Sequence, residues 1–184
     1  MKKLFLISFL LFASVAEAGW MDKKMMEMSQ REFDKQSMIC LAKNIYFEAR
    51  DQSTKGQIGV ALVTINRVKS KHFPNTMCEV VHQGQKKNGK MLLHKCHFSW
   101  YCDGKSDTPR DRMSWAISKL IARAMLMKPG VHIKHFGEKW EIEDFLHGAT
   151  HYHRVDINPP YWTAKMLKYS TIDDHIFYID PYRR

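Results

Sequence analysis

Apolar residues recur at helical spacing between Ser37 and Arg50, in the stretch SMICLAKNIYFEAR. They occupy positions i, i+3, i+4, i+7 and i+11, which predicts a helix with one buried face. Ser37 is the predicted N-cap of this helix. The residues of the predicted face are Met38, Leu41, Ala42, Ile45 and Ala49.

Glu48 lies at the edge of this apolar face, because a rotation of about 100° per residue puts it on the same side as Ile45. A carboxyl group that loses water without gaining a cation has a raised pKa and can hold a proton near neutral pH. A general acid needs this property, so Glu48 is the candidate catalytic acid. The alternative is a carboxylate at the helix end that pairs with Lys43, Arg50 or Arg67.

Two further helices are predicted from capping residues and apolar spacing. Ser53 caps a helix that runs to about Lys69. Its glycines, Gly56 and Gly59, would allow close approach of a neighbour such as the first helix. Thr76-x-x-Glu79 is a capping box for a short helix that ends near residue 83.

A longer helix is predicted behind the site, with Thr108 as its cap and Pro109 at its first position. Pro129-Gly130 ends it. Its predicted buried face consists of Met113, Ala116, Ile117, Leu120 and Ala124.

The remaining segments read as loops and short strands. Residues 84–95 are rich in glycine and lysine and predict a surface loop. The aromatic segment 97–101 is either the wall of a sugar-binding cleft or a buried strand. Residues 165–170 and 175–179 predict two strands around a turn at 171–174.

The N-terminus has the three parts of a secretory signal peptide. Lys2 and Lys3 precede an apolar run from Leu4 to Val15, and Ala16-Glu17-Ala18 is a cleavage site. We therefore expect a signal peptide over 1–18, a flexible leader over 19–36 and a catalytic domain over 37–184. The mature protein would be exported, periplasmic or secreted, without stable membrane insertion.

The chain carries a net charge of +10. Loss of two lysines and one glutamate with the signal peptide leaves +9. Such a charge favours a polyanionic partner, and export favours the cell wall over nucleic acid. A basic module that binds wall or nucleic acid without catalysis is the non-enzyme alternative, although no nucleic-acid motif is present.

Four cysteines in an exported chain predict two disulfides. They are Cys40, Cys78, Cys96 and Cys102, and three pairings are open. The short spacing from Cys96 to Cys102 would close a small loop. Zinc is the rival use of four cysteines, but no C-x2-C pair is present.

Four segments in this order resemble the SleB-type, or spore-cortex-lytic, cell wall hydrolases of bacteria and their phages. The resemblance extends from about Cys40 to Ile179. The segments are Ile45–Arg50, then Gly56–Thr76 with Asn66 and Arg67, then Cys96–Trp100 with Asp103-Gly104, and finally Gly148–His153 with Pro160, Trp162, His175 and Phe177.

The resemblance implies a mainly α (α+β), lysozyme-like fold with a small β-hairpin. It implies cleavage of peptidoglycan between N-acetylmuramic acid and N-acetylglucosamine, with Glu48 as the catalytic acid and no cofactor. It also implies a saccharide cleft contacted by Ser99, Trp100, Thr150, Tyr152, His153 and Trp162. Many relatives in the broader lysozyme-like group have Asn where His153 stands here.

No second catalytic carboxylate is evident, because Asp51, Asp103 and Asp107 lie at a helix end or in loops. Ordinary glycosidases need two carboxylates. The single carboxylate therefore favours a lytic transglycosylase, with hydrolysis by a muramidase as the alternative. We expect a monomer.

A zinc amidase or peptidase is the competing class of enzyme. His147, His151 and His153, with His175 beyond, could share a metal if the first two lay one turn apart on a helix. Gly148 and the missing acidic residue of an H-E-x-x-H motif argue against this arrangement.

Overall fold

The computed structural model describes residues 5–126, 132–135, 138–141 and 143–182, and the side chains of 23–126 and 143–182. Four helices are described, α1 Phe5–Ala49, α2 Thr54–Lys69, α3 Met77–Val81 and α4 Arg112–Leu126. Seven strands are described, β1 Gly84–Lys87, β2 Lys90–Cys96, β3 His132–His135, β4 Glu138–Glu141, β5 His151–Arg154, β6 Leu167–Ile172 and β7 His175–Ile179. Two short 3-10 helices cover Ser99–Cys102 and Tyr161–Lys165.

The chain divides into two compact units, the first ending at Gln36 and the second beginning at Ser37. Residues 23–36 are helical, and their side chains are exposed. No helix begins at Ser37, so its predicted capping role is wrong, because α1 is already helical before it. The predicted signal peptide, residues 1–18, lies outside the described side chains and stays a prediction. Over the described residues, no helix has the length and hydropathy for a membrane crossing.

The apolar face of α1 is confirmed at the centre of the core. Leu41, Ala42, Ile45 and Ala49 are completely buried. Leu41, Ala42 and Ile45 pack with α2, α4 and the sheet in one continuous cluster. Each fully buried Leu or Ile side chain contributes about 1.5–3 kcal/mol to folding. This packing fixes the C-terminal turn of α1, which carries Glu48.

Helices α2 and α3 begin as predicted. The Ser53 hydroxyl accepts a hydrogen bond from the Gly56 amide, and the Thr76 hydroxyl accepts one from the Glu79 amide. Gly59 does allow close approach, but the neighbour is the ring of Phe177 in the sheet rather than the first helix. A side chain at this position would displace that ring.

Helix α4 differs from its prediction in start and orientation. It begins at Arg112, and the Asp111 carboxylate accepts a hydrogen bond from the Ser114 amide at 2.6 Å. Thr108 is therefore not the cap. The predicted face is wrong at Met113, Ala116 and Leu120, which are exposed, Met113 by 69% and Leu120 by 46%. The prediction is confirmed at Ala124, and the other buried side chains of the helix are Ser118, Ile121, Ala122 and Met125. Alanines and a serine form part of the buried face of this helix, so the spacing of large apolar residues alone did not identify that face. The predicted end at 129–130 lies outside the described residues.

The described strands form three antiparallel sheets. Strands β5, β7 and β6 form one sheet in that order, and β3 pairs with β4. The predicted strands at 165–170 and 175–179 correspond to β6 and β7. Residues 84–95, predicted as a loop, belong instead to the β1–β2 hairpin, with an Asn88-Gly89 turn in left-handed conformations. The Asn-Gly pair is a strong hairpin signal, and it was missed because the segment is so polar.

The four cysteines form two disulfides, Cys40–Cys78 and Cys96–Cys102. The first connects α1 to α3 in the core. The second closes the small loop at the base of the β1–β2 hairpin. Tertiary proximity selects this pairing among the three that were open.

Candidate active site

A cleft of about 640 Å³ lies where the end of α1 meets β5 and the base of the β1–β2 hairpin. Its floor contains Glu48 and Arg67, and its walls come from three later segments. The residues on these walls are Gln85, Cys96, His97, Phe98, Ser99, His151, Tyr152, His153, Arg154, Ile157, Pro160, Tyr161 and Trp162. The cleft therefore unites residues more than a hundred positions apart.

Glu48 is the only carboxylate among the described residues that line the cleft. Its Oε2 accepts a hydrogen bond from the Tyr152 hydroxyl at 3.1 Å. It forms no salt bridge within 4 Å with any described Lys or Arg, so the alternative pairing with Lys43, Arg50 or Arg67 is not formed. Burial raises the pKa of Glu48 from 4.5 to about 7, against the opposing effects of Tyr152 and the charges of Arg67 and Arg154.

Such a carboxyl group is protonated in an appreciable fraction of molecules at neutral pH. It can therefore donate a proton to a leaving-group oxygen and later take one back. The sequence predicted this property from the position of Glu48 on the helix, and the tertiary structure supplies the desolvation.

Tyr152 reaches Glu48 from the central part of β5. Its ring contacts Phe177, His175 and Phe98, with the Phe177 ring centroid 5.7 Å away. Burial and the neighbouring carboxyl group raise the pKa of Tyr152 well above its ordinary value. Tyr152 thus stays protonated and acts as a fixed hydrogen-bond donor to Glu48.

Arg67 also lines the cleft, although no firm role was predicted for it from the sequence. Its Nε donates to the Thr150 carbonyl at 2.7 Å, and the guanidinium lies 4.8 Å from the centroid of the Phe98 ring and 5.3 Å from that of Phe73. Burial lowers its pKa to about 10, so it remains a cation at neutral pH. The available signal was its spacing, because Arg67 continues the i, i+3, i+4, i+7 row of Val60, Val63 and Thr64, all fully buried.

Four of the six predicted saccharide contacts line the cleft, namely Ser99, Tyr152, His153 and Trp162. Ser99 is exposed, whereas Trp162 is half-buried beside His151 and His153. Both ring nitrogens of His153 already have partners within 2.9 Å, the Arg154 carbonyl and the Tyr178 hydroxyl. His153 therefore orients its neighbours rather than offering a free donor.

Trp100 and Thr150 do not line the cleft, so their predicted contact with saccharide is corrected. Trp100 is 6% exposed, and its Nε1 donates to the Asn44 side chain at 2.9 Å. It stacks on Phe47 with ring centroids 4.7 Å apart. Thr150 is buried, and its hydroxyl lies 2.9 Å from His151 Nδ1. Both residues support the cleft from behind.

The histidines of the metal hypothesis are not arranged on a helix. Residues 145–148 form a turn, and His151 and His153 belong to β5, so His147 and His151 are not one helical turn apart. His147 contacts Tyr169 on the other side of this turn. Over the described residues, no three His, Cys, Asp or Glu side chains form a group that could hold a metal ion.

Arg154 brings a second positive charge to the cleft, and two carboxylates outside the lining balance it. It lies 3.1 Å from Asp156 and 3.3 Å from Asp174. These carboxylates raise the pKa of Arg154 further. Both carboxylates contact Arg154, and neither lines the cleft with Glu48.

Comparison with known proteins gives a family and a fold. A family model described as Cell Wall Hydrolase matches residues 51–178, a range that begins just after Glu48. No curated protein sequence matches the chain.

Two solved structures are similar to this chain. The catalytic domain of the Bacillus cereus SleB protein is 22% identical, with a TM-score of 0.49 over 78% of this chain and 91% of that one. The catalytic domain of the germination-specific lytic transglycosylase SleB from Bacillus anthracis is 21% identical, with a TM-score of 0.52 over 78% of this chain and 93% of that one. The second likeness agrees with the predicted lysozyme-like α+β fold.

The family match covers more than half of the chain, and the fold and the single-carboxylate cleft agree with it. The chain therefore belongs to the Cell Wall Hydrolase family and is an enzyme that acts on the cell wall.

Proposed function

We propose that this enzyme is a lytic transglycosylase that cleaves the glycan strand between N-acetylmuramic acid and N-acetylglucosamine. Glu48 serves as its single general acid and base. The observation that carries the proposal is the solitary carboxyl group in the described cleft lining, with a pKa near 7. The SleB catalytic domain from Bacillus anthracis, which shares the fold, is itself described as a lytic transglycosylase.

One carboxyl group is sufficient if the substrate supplies the nucleophiles. Protonated Glu48 donates its proton to the glycosidic oxygen, and the bond from that oxygen to the muramic acid C1 breaks. The N-acetyl oxygen of the muramic acid assists from the opposite face. The 6-hydroxyl then attacks C1, and the Glu48 carboxylate accepts the hydroxyl proton. The products are a 1,6-anhydro-muramyl end and a free 4-hydroxyl, formed without water, and Glu48 ends protonated as it began.

The cleft walls fit an oligosaccharide. Ser99 supplies an exposed hydroxyl, and the half-buried Trp162 supplies an aromatic face with an adjacent polar rim. Tyr152 holds the Glu48 carboxyl group in place through its hydrogen bond. Arg67 and Arg154 add positive charge, which stabilises the carboxylate form after proton transfer.

We also propose that the enzyme is exported and acts outside the cytoplasm. The support is the signal peptide pattern of residues 1–18 together with the two disulfides, which persist mainly in oxidising compartments. Residues 19–36 would then be an N-terminal leader to a catalytic domain over 37–184. Cell fractionation followed by N-terminal sequencing tests this proposal, and a cytoplasmic chain that retains Met1 contradicts it.

Mass spectrometry of fragments released from purified peptidoglycan by residues 19–184 tests the reaction. Each digest is analysed with and without borohydride, which reduces free reducing ends but leaves anhydro ends unchanged. Anhydro-muropeptides support the proposal, and reducing muropeptides would instead assign a muramidase. Free stem peptides with intact glycan would assign an amidase and reopen the metal hypothesis.

Glu48→Gln is the matched variant, because it preserves shape and the acceptor for Tyr152 but cannot transfer a proton. We expect its rate to fall by at least about 100-fold, in the range of general acid–base catalysis. Sedimentation with insoluble wall should show unchanged binding. Wild-type activity in this variant would remove Glu48 from the mechanism.

A further inference from the structure

The β1–β2 hairpin is a basic arm next to the cleft. Four lysines on it are exposed, Lys86, Lys87, Lys90 and Lys95. No acidic residue occurs between Gly84 and Cys102. None of the four lysines forms a salt bridge with a described residue. The positive charge of the arm is therefore uncompensated.

This arrangement opposes hairpin stability. Lys87 and Lys90 are directly opposite each other across the turn, and like charges at such positions destabilise a strand pair. An isolated two-stranded hairpin is marginally stable even without this repulsion. The Cys96–Cys102 disulfide at its base holds the arm in place. A charge pattern maintained against its own repulsion suits a polyanionic partner.

The base of the arm is part of the cleft wall. Gln85 on β1 and Cys96 on β2 line the cleft with Glu48, and His97 follows directly. A polymer held in the cleft therefore leaves it beside the lysines. The lysines themselves lie beyond the cleft lining, where groups that project from such a polymer can reach them.

We propose that the β1–β2 hairpin binds the carboxylates of the stem peptides on the glycan strand that occupies the cleft. This inference rests on the proposed function, because it takes peptidoglycan as the polymer. Stem peptides project from muramic acid and carry several free carboxylates away from the sugar, whereas a strand stripped by an amidase keeps only the lactyl carboxylate attached to each muramic acid ring. The lysines thus make the enzyme selective for peptide-bearing strands.

The test compares two substrates, intact peptidoglycan and glycan strands stripped of stem peptides by an amidase. The variant combines Lys86→Gln, Lys87→Gln and Lys90→Gln. A control variant removes the same charge from exposed lysines outside the cleft lining, at Lys69, Lys71 and Lys168. The measured quantity is kcat/KM for glycan cleavage, counted from new chain ends of either kind.

We expect the hairpin variant to lose about tenfold in kcat/KM on peptide-bearing glycan, since exposed ion pairs each contribute modestly. On stripped glycan its rate should stay within about twofold of wild type. The preference of the wild-type enzyme for peptide-bearing over stripped glycan should also decrease as the salt concentration rises. The control variant should keep the preference.

Three results would overturn the proposal. An equal loss of kcat/KM on both substrates would mean that the arm contacts the glycan itself or stabilises the fold. The melting temperature of the variant separates these two causes. Equal loss in the control variant would mean that only net charge matters. A loss that disappears once other anionic wall polymers are removed would assign the arm to those polymers. Because either kind of chain end is counted, a hydrolytic product refutes the transglycosylase proposal and leaves this test intact.

Discussion

Glu48→Gln should stabilise the folded protein at alkaline pH while it abolishes activity. The folded protein holds the Glu48 proton up to a pKa of about 7, whereas the pKa of an unperturbed glutamate is 4.5. Between these pH values the folded state binds one proton more than the unfolded state. Stability therefore falls as pH rises through this window.

The size of the effect follows from the shift. Each pKa unit corresponds to 1.36 kcal/mol, so the free energy of unfolding should decrease by about 3 kcal/mol between pH 4.5 and pH 8. Glutamine has no proton to lose and avoids this contribution. The difference between Glu48→Gln and wild type should therefore grow by about 3 kcal/mol over the same range.

Urea denaturation at half-unit pH steps measures the difference directly. Glu143→Gln is the control, because it removes the same charge from an exposed position, and its curve should run parallel to wild type. If the Glu48→Gln curve also runs parallel, Glu48 titrates as an ordinary carboxyl group. The desolvation argument for a neutral-pH general acid would then be refuted.

Three more outcomes are expected. Tyr152→Phe removes a hydrogen bond that lowers the pKa of Glu48. The alkaline limb of the pH profile of kcat/KM, near pH 7 in wild type, should therefore move to higher pH. An unmoved limb would contradict the proposed contact. Asn44→Ala leaves the buried Trp100 Nε1 without its acceptor and opens a cavity. Urea denaturation should therefore show that the free energy of unfolding falls by about 3 kcal/mol. A decrease of less than about 1 kcal/mol would mean that the core closes around the site. Replacing Cys96 and Cys102 together by serine should lower the free energy of unfolding by only about 2 kcal/mol, because the closed loop is short. The variant should also lose activity under conditions where it remains folded, because Ser99 and the hairpin base both depend on that disulfide. Full activity would show that the cleft wall forms without it.

Local signals in the sequence determined much of the helical framework. The apolar repeat of α1 placed Glu48 at the edge of a buried face, because a helix turns by a fixed angle per residue. Ser53 and Thr76 placed the starts of α2 and α3, because a capping hydroxyl satisfies an amide that the helix cannot. These features depend on neighbours within a few positions, so the sequence alone is enough to find them.

Where several orientations satisfy the same pattern, only the tertiary structure decided. Helix α4 has apolar residues on more than one side, and packing buries Ile121 and Met125 while it exposes Met113 and Leu120. Trp100 and Ser99 are adjacent, yet one supports the cleft from behind and the other lines it. Local sequence carries no information on which side of a short helix meets the core.

The chemistry of the cleft also depends on contacts distant in sequence. Glu48 has its raised pKa because tertiary packing buries it, an effect that outweighs the lowering by the hydrogen bond from Tyr152, more than a hundred residues later. Arg67 belongs to the site because its guanidinium packs on Phe98 and donates to the Thr150 carbonyl. The sequence determined which residue could be the acid, and the long-range packing that removes water from it determined that it can hold a proton at neutral pH.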